Sequence, residues 1–193
     1  MGALSRALAR RFAARVSRYC DPVHRRLAAF VALCTLLVIG VSCGSSGSGD
    51  AGSANATPSD HAKMICADEA QEDIAATLGV KPVQVSTPTW SQRLYSCNYE
   101  YADGVISLKL KELPDEAATT RYFEGLAKDR GQPPGGISLG EGAFATPTEL
   151  VMRKDFMVLD IDVSKLPAQF GQPARSPADV KLAVAQTLLG CWK

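Results

Sequence analysis

Apolar and polar residues alternate cleanly in three stretches of this chain. In YSCNYEY (95–101), Tyr95, Cys97, Tyr99 and Tyr101 fall on one side and Ser96, Asn98 and Glu100 on the other, which predicts a half-buried strand. Ala102-Asp103-Gly104 breaks the pattern. VISLKLK (105–111) then resumes it with Ile106, Leu108 and Leu110 inward, so the two runs predict a hairpin. DFMVLDIDVS (155–164) repeats the period with Met157, Leu159, Ile161 and Val163 inward. AFAT and ELVMRK, on either side of Pro147, add shorter strands.

Elsewhere the pattern is helical. CADEAQEDIAATLG (66–79) carries acids in its early turns and stops at Gly79. DEAATTRYFEGLAKDRG (115–131) has Pro114 at its start and Gly131 at its end. SPADVKLAVAQTLLGCW (176–192) opens with a Ser cap and a Pro at the first helical position, and Val180, Val184, Leu188 and Cys191 share one side. Strands bunched between helices argue for an α+β fold: a mostly antiparallel sheet of about five strands packed by about three helices.

Upstream the pattern changes character. Leu27 to Val41 (LAAFVALCTLLVIGV) is uncharged and almost wholly apolar, with arginines before it and small residues closing it. Fifteen residues are short for a membrane span, which needs about 20, and fit the core of an export signal. The basic flank belongs on the cytoplasmic side and sends the rest of the chain outward. Cys43 stands at the border, and Val41-Ser42-Cys43 resembles the cleavage and lipidation site of bacterial lipoproteins. Gly40 departs from it, since an aliphatic residue is usual there. A lipidated Cys43 would anchor the protein by buried acyl chains, each CH₂ contributing roughly 0.8 kcal/mol. An uncut signal anchor and ordinary cleavage nearby are the alternatives, and all three export the domain. The residues before the core are many for a signal's basic region, and VHRRLAAFVALC from Val23 would make a compact signal by itself. After Cys43, GSSGSGDAGSANATPSD (44–60) has no periodicity and reads as a flexible tether of reach about 20–25 Å. The organisation expected is a basic leader and lipoprotein-type signal over 1–43, a tether over 44–60, and an extracytoplasmic domain over 61–193.

Charge sharpens that division. The formal net charge of +1 conceals seven arginines against one acid, Asp21, within residues 1–43, so that residues 44–193 carry −5. The folding part is mildly acidic and has no basic stripe, which argues against nucleic-acid binding. Of six cysteines, Cys66, Cys97 and Cys191 lie in the domain. Export makes a disulfide the expectation. Cys66–Cys97 would join the first helix to the first long strand, and Cys66–Cys191 would tie the two ends of the domain; either leaves one thiol on an apolar face. No CxxC pair and no histidine beyond His61 supports a metal site, and no cofactor motif is present.

The candidates for chemistry are few. GISLG (136–140) matches the G-x-S-x-G elbow with Ser138 as nucleophile, but the residues before it are loop-like and no histidine follows residue 61 to act as base. His61 ends the tether and reads as solvated. Asp160 and Asp162 stand two apart on one strand, which sets their carboxylates roughly 6–7 Å apart. That spacing suits a carboxylate hydrolase, while a solvated sheet face is the plainer reading. Tyr95, Tyr99 and Tyr101 can be a sugar-stacking platform or a Tyr-rich core face, and Trp90 and Trp192 read as packing residues.

ICADEA, TWSQRLYSCNYEY, SLGEGAF, the strand MVLDIDV and the closing LLGCW occur in an order that resembles small actinobacterial, mycobacterial-type envelope lipoproteins of unknown function. The resemblance covers roughly 65–192. It implies an exported lipoprotein with a stapled α+β domain, lipid-anchored on the outer face of the cell membrane, and it brings no catalytic residues. The expectation is a non-catalytic binding or accessory module for an unknown envelope ligand or protein. A hydrolase using Asp160 and Asp162, or a purely structural surface protein, is the alternative.

Overall fold

The computed structural model describes residues 57–192. The leader, Cys43 and the tether through residue 56 lie outside the described residues, as does Lys193.

Helix α1 (Asp60–Met64) starts where the Ser59 hydroxyl accepts the Ala62 N–H at 3.1 Å. Ser59 and Asp60, at the end of the expected tether, therefore belong to this first turn. The Ser59 backbone N–H donates to Glu112 Oε1 at 2.8 Å, fixing the entry of the chain to the sheet. Helix α2 (Asp68–Leu78) has no side-chain cap, and Asp68 and Glu69 place negative charge at its positive end instead. It stops at Gly79, whose φ is 69° and whose Cβ, if present, would lie 2.0 Å from the Gln172 carbonyl oxygen. Both the left-handed turn and the close approach demand glycine.

Seven strands follow: β1 (Gln84–Val85), β2 (Thr89–Ser91), β3 (Leu94–Tyr101), β4 (Gly104–Glu112), β5 (Gly142–Ala145), β6 (Glu149–Lys154) and β7 (Met157–Asp162). Helix α3 (Glu116–Asp129), capped by Asp115 on the Ala118 N–H at 2.7 Å, lies between β4 and β5. Helix α4 (Pro177–Cys191), capped by Ser176, closes the chain. The sheet is antiparallel in the order β1-β3-β4-β7-β6-β5, and β2 also pairs with β3. The α+β class agrees with expectation, with seven strands instead of about five and four helices instead of about three among the described residues. The additions are small: β1 and β2 share one sheet edge and are interrupted by Pro88, which cannot donate to the ladder.

Register makes one face continuously apolar. Cys97 and Tyr95 lie opposite Leu108 and Leu110, these opposite Ile161 and Leu159, and these in turn opposite Leu150 and Met152. Ile74 and Leu78 of α2 and Val180, Val184 and Leu188 of α4 complete this core. The other face is only half covered. Phe123 and Ala127 of α3 pack on Phe144, Val151 and Val158 of β5, β6 and β7. The β3–β4 half shows Ser96, Asn98, Glu100, Ser107, Lys109 and Lys111, all partly or fully exposed.

Cys66 and Cys97 form a disulfide, with Cα atoms 6.1 Å apart. It joins the segment after α1 to the middle of β3 on the apolar face. The alternative pairing through Cys191 is excluded, since Cys66 is already bonded. Cys191 is half-buried, not fully packed into the core, and its thiol lies 3.3 Å from Asp73 Oδ2 on α2.

Candidate functional site

Two places bring chemistry-bearing side chains together. The first lies beneath the C-terminal end of α3. The alternation of β7 turns Asp160 away from the apolar core, which on sequence alone suggests solvent. The structure corrects this: α3 lies over that part of the sheet, and the Asp160 side chain is only 14% exposed. Arg130, at the end of α3, explains how a carboxylate is tolerated there. Its Nε donates to Glu149 Oε2 at 2.6 Å and its Nη2 to Asp160 Oδ2 at 3.2 Å, so one guanidinium bridges two carboxylates on neighbouring strands. Asp160 Oδ1 is buried and has no hydrogen-bond partner among the described residues.

Burial pushes the Asp160 carboxyl up to about 6. Lys109, its register partner on β4, pulls the other way, Glu149 adds to the rise, Arg130 opposes it, and Asp162 contributes a smaller push upward. Arg130 is raised above its ordinary value, chiefly by its hydrogen bond to Glu149. Lys181 of α4, buried, donates to the Thr146 and Pro147 carbonyls at the turn before Glu149, and burial lowers its pKa. The cluster can thus hold a proton on Asp160 near pH 6 beside a fixed guanidinium. Asp162 does not join it, because its Oδ1 accepts the Ser164 N–H at 2.8 Å and closes the turn after β7.

The other sequence candidates are scattered. Ser138 is exposed in the loop before β5, so a strand follows it where an elbow requires a helix. His61 is exposed on α1. The three tyrosines do not make a common platform. Tyr99 is fully buried, with its hydroxyl donating to the Ile65 carbonyl at 2.7 Å. Tyr95 is half-buried beside Trp90, ring centroids 6.4 Å apart, and Tyr101 meets Phe170 edge-on at 4.9 Å. Trp192 is buried against the apolar layer. Among the described residues, no group of three His, Cys, Asp or Glu is placed to hold a metal ion, and no helix is long and apolar enough to cross a membrane.

The second place is a cleft of about 420 Å³ at the β3–β4 turn. Its walls are the segment after α2 (Val80, Lys81, Val83), the hairpin turn (Tyr101, Ala102, Asp103) and the loop before α4 (Gln169–Gln172). Tyr101 is only 8% exposed, and its hydroxyl has no hydrogen-bond partner among the described residues.

Sequence reasoning missed Arg130, Glu149 and the cleft. Arg130 looks like an ordinary cation closing a helix, and only the α3 crossing brings it over β6 and β7. The cleft is assembled from three loops distant in sequence, which no local pattern joins. Comparison with protein-family models, curated proteins and solved structures finds no match to this chain.

Proposed function

We propose that this chain is an exported lipoprotein, anchored through Cys43 on the extracytoplasmic face of the cell membrane, whose domain serves as a non-catalytic binding or accessory module of the envelope. The observation that carries the reading is the Cys66–Cys97 disulfide, because such bonds persist in oxidising compartments and are rare in the reducing cytosol. The export-type leader, Cys43 and the Gly/Ser tether join it from the sequence. One oxygen of each main candidate carboxylate is also engaged structurally: Asp160 Oδ2 by Arg130, and Asp162 Oδ1 by the Ser164 N–H. Growth of the host on labelled palmitate tests the anchor. The wild type is expected to take up label and Cys43→Ala to lose it; equal labelling of both ends the lipoprotein reading.

One observation favours a second reading. A carboxyl that titrates at about 6 suits a general acid, so an envelope hydrolase using Asp160 with Asp162 is the alternative. Loss of hydrolysis of envelope material in the Asp160→Asn, Asp162→Asn double variant, with folding retained, would establish it.

A further inference from the structure

We propose that the cleft at the β3–β4 turn binds a short peptide that has free termini and apolar side chains. This rests on the binding-module reading and deepens it by giving that module a site and a ligand class.

The cleft is built before any ligand arrives. The Gln172 N–H donates to the Leu78 carbonyl at 2.7 Å, and Phe170 and Arg175 exchange backbone bonds of 2.9 Å, which pins the loop before α4. The Val83 N–H donates to the Glu100 carbonyl at 2.7 Å and holds the second wall on β3. The hairpin turn is seated on the same loop: a Cβ at Gly104 would lie 2.8 Å from the Lys165 carbonyl oxygen. A pinned site has little conformational freedom left to lose on binding. Its 420 Å³ falls within the range of about 300–1,000 Å³ common to small-ligand sites.

The lining sets the ligand class. Val83 is 76% exposed, the most exposed large apolar side chain among the described residues, and it stands on the cleft with Val80 and the Tyr101–Phe170 pair. Lys81 and Asp103 come from different walls, are exposed, and form no salt bridge among the described residues. A cation and an anion flanking an apolar surface complement a zwitterion with an apolar body, its carboxylate toward Lys81 and its ammonium toward Asp103. Gln169 and Gln172 supply amides that both donate and accept, as peptide groups require.

Position favours presentation. The chain enters the domain at Ser59, bonded to Glu112 at one end of β4, and the cleft lies beside Gly104 at the other. Eight strand steps separate them by about 27 Å. The cleft therefore sits at the opposite end of this strand from Ser59.

The test is a titration of the ¹⁵N-labelled full-length protein in detergent micelles with leucyl-leucine, N-acetyl-leucyl-leucine amide and glucose. Leucyl-leucine is expected to give saturable amide shifts centred on Val83, Ala102 and Gln172, and the capped peptide to bind more weakly. Lys81→Ala and Asp103→Ala should each weaken leucyl-leucine about three- to fivefold, the scale of an exposed ion pair. Both residues are on the surface, so circular dichroism should stay unchanged. Absence of saturable shifts, shifts centred elsewhere, equal binding of free and capped peptide, or a stronger response to glucose overturns the proposal. None of these outcomes alters palmitate labelling at Cys43, which tests the tethered reading separately.

Discussion

The two faces of this sheet are held by different physics. On the face that packs α2 and α4, the buried residues are almost all apolar: Leu108, Leu110, Leu159 and Ile161 are completely buried, and the disulfide sits among them. On the α3 face a short apolar patch, Phe123 with Phe144, Val151 and Val158, gives way within one strand to Arg130, Glu149 and Asp160. The first face is held mainly by side chains that carry no charge. The second contains a carboxyl whose charge changes near pH 6, so the hold of α3 on the sheet varies with pH.

That contrast can be broken from either side. The largest effect is expected on the apolar face, where Leu108→Ala should cost about 2–5 kcal/mol with little pH dependence, read from urea midpoints. Cys97→Ser, which opens the bridge on the same face, should cost about 2–4 kcal/mol. A loss that disappears when wild type and variant are both measured in reductant would assign it to the bond and not to packing.

On the α3 face the sign reverses. The folded Asp160 pKa of about 6 stands above its unfolded value of about 3.9. Its contribution to stability is therefore fully present below pH 4 and is lost as pH rises through about 6. Asp160→Asn removes the cost of burying the charge and should stabilise the protein above pH 7 by up to about 3 kcal/mol, with the gain vanishing near pH 4. Thermal melts of both proteins between pH 4 and 8 measure it; a constant difference across that range would refute the assignment. The smallest effect belongs to Asp162, whose bond to the Ser164 N–H closes a turn: Asp162→Ala should cost about 1 kcal/mol.

The legible part of this fold was the part written in local periods. Tyr95 to Tyr101 and Met157 to Val163 show their buried sides by alternation, and Ser176-Pro177 marks the start of α4. The edge strands β1 and β2 left no trace, because two or three residues are too few for a period and Pro82 and Pro88 flank them. Asp160 was misjudged for a different reason. Alternation tells which side of a strand a residue takes, not what crosses that side, and α3 reaches it from a segment 30 residues earlier in the chain. The cleft was hidden in the same way, since Lys81, Asp103 and Gln172 meet only after the chain has folded.

The placement of the disulfide also decides how the domain answers a pull. Tension applied upstream of residue 57 first reaches the Ser59–Glu112 hydrogen bond and the single turn of α1. Those can peel away, and the load then meets a covalent stop at Cys66. From there it passes through sulfur to Cys97 in the middle of β3, a strand paired with β4 along its whole length. A covalent stop this near the entry confines any peeling to the residues before Cys66. The sheet and the cleft can remain intact when the domain is pulled from residue 57.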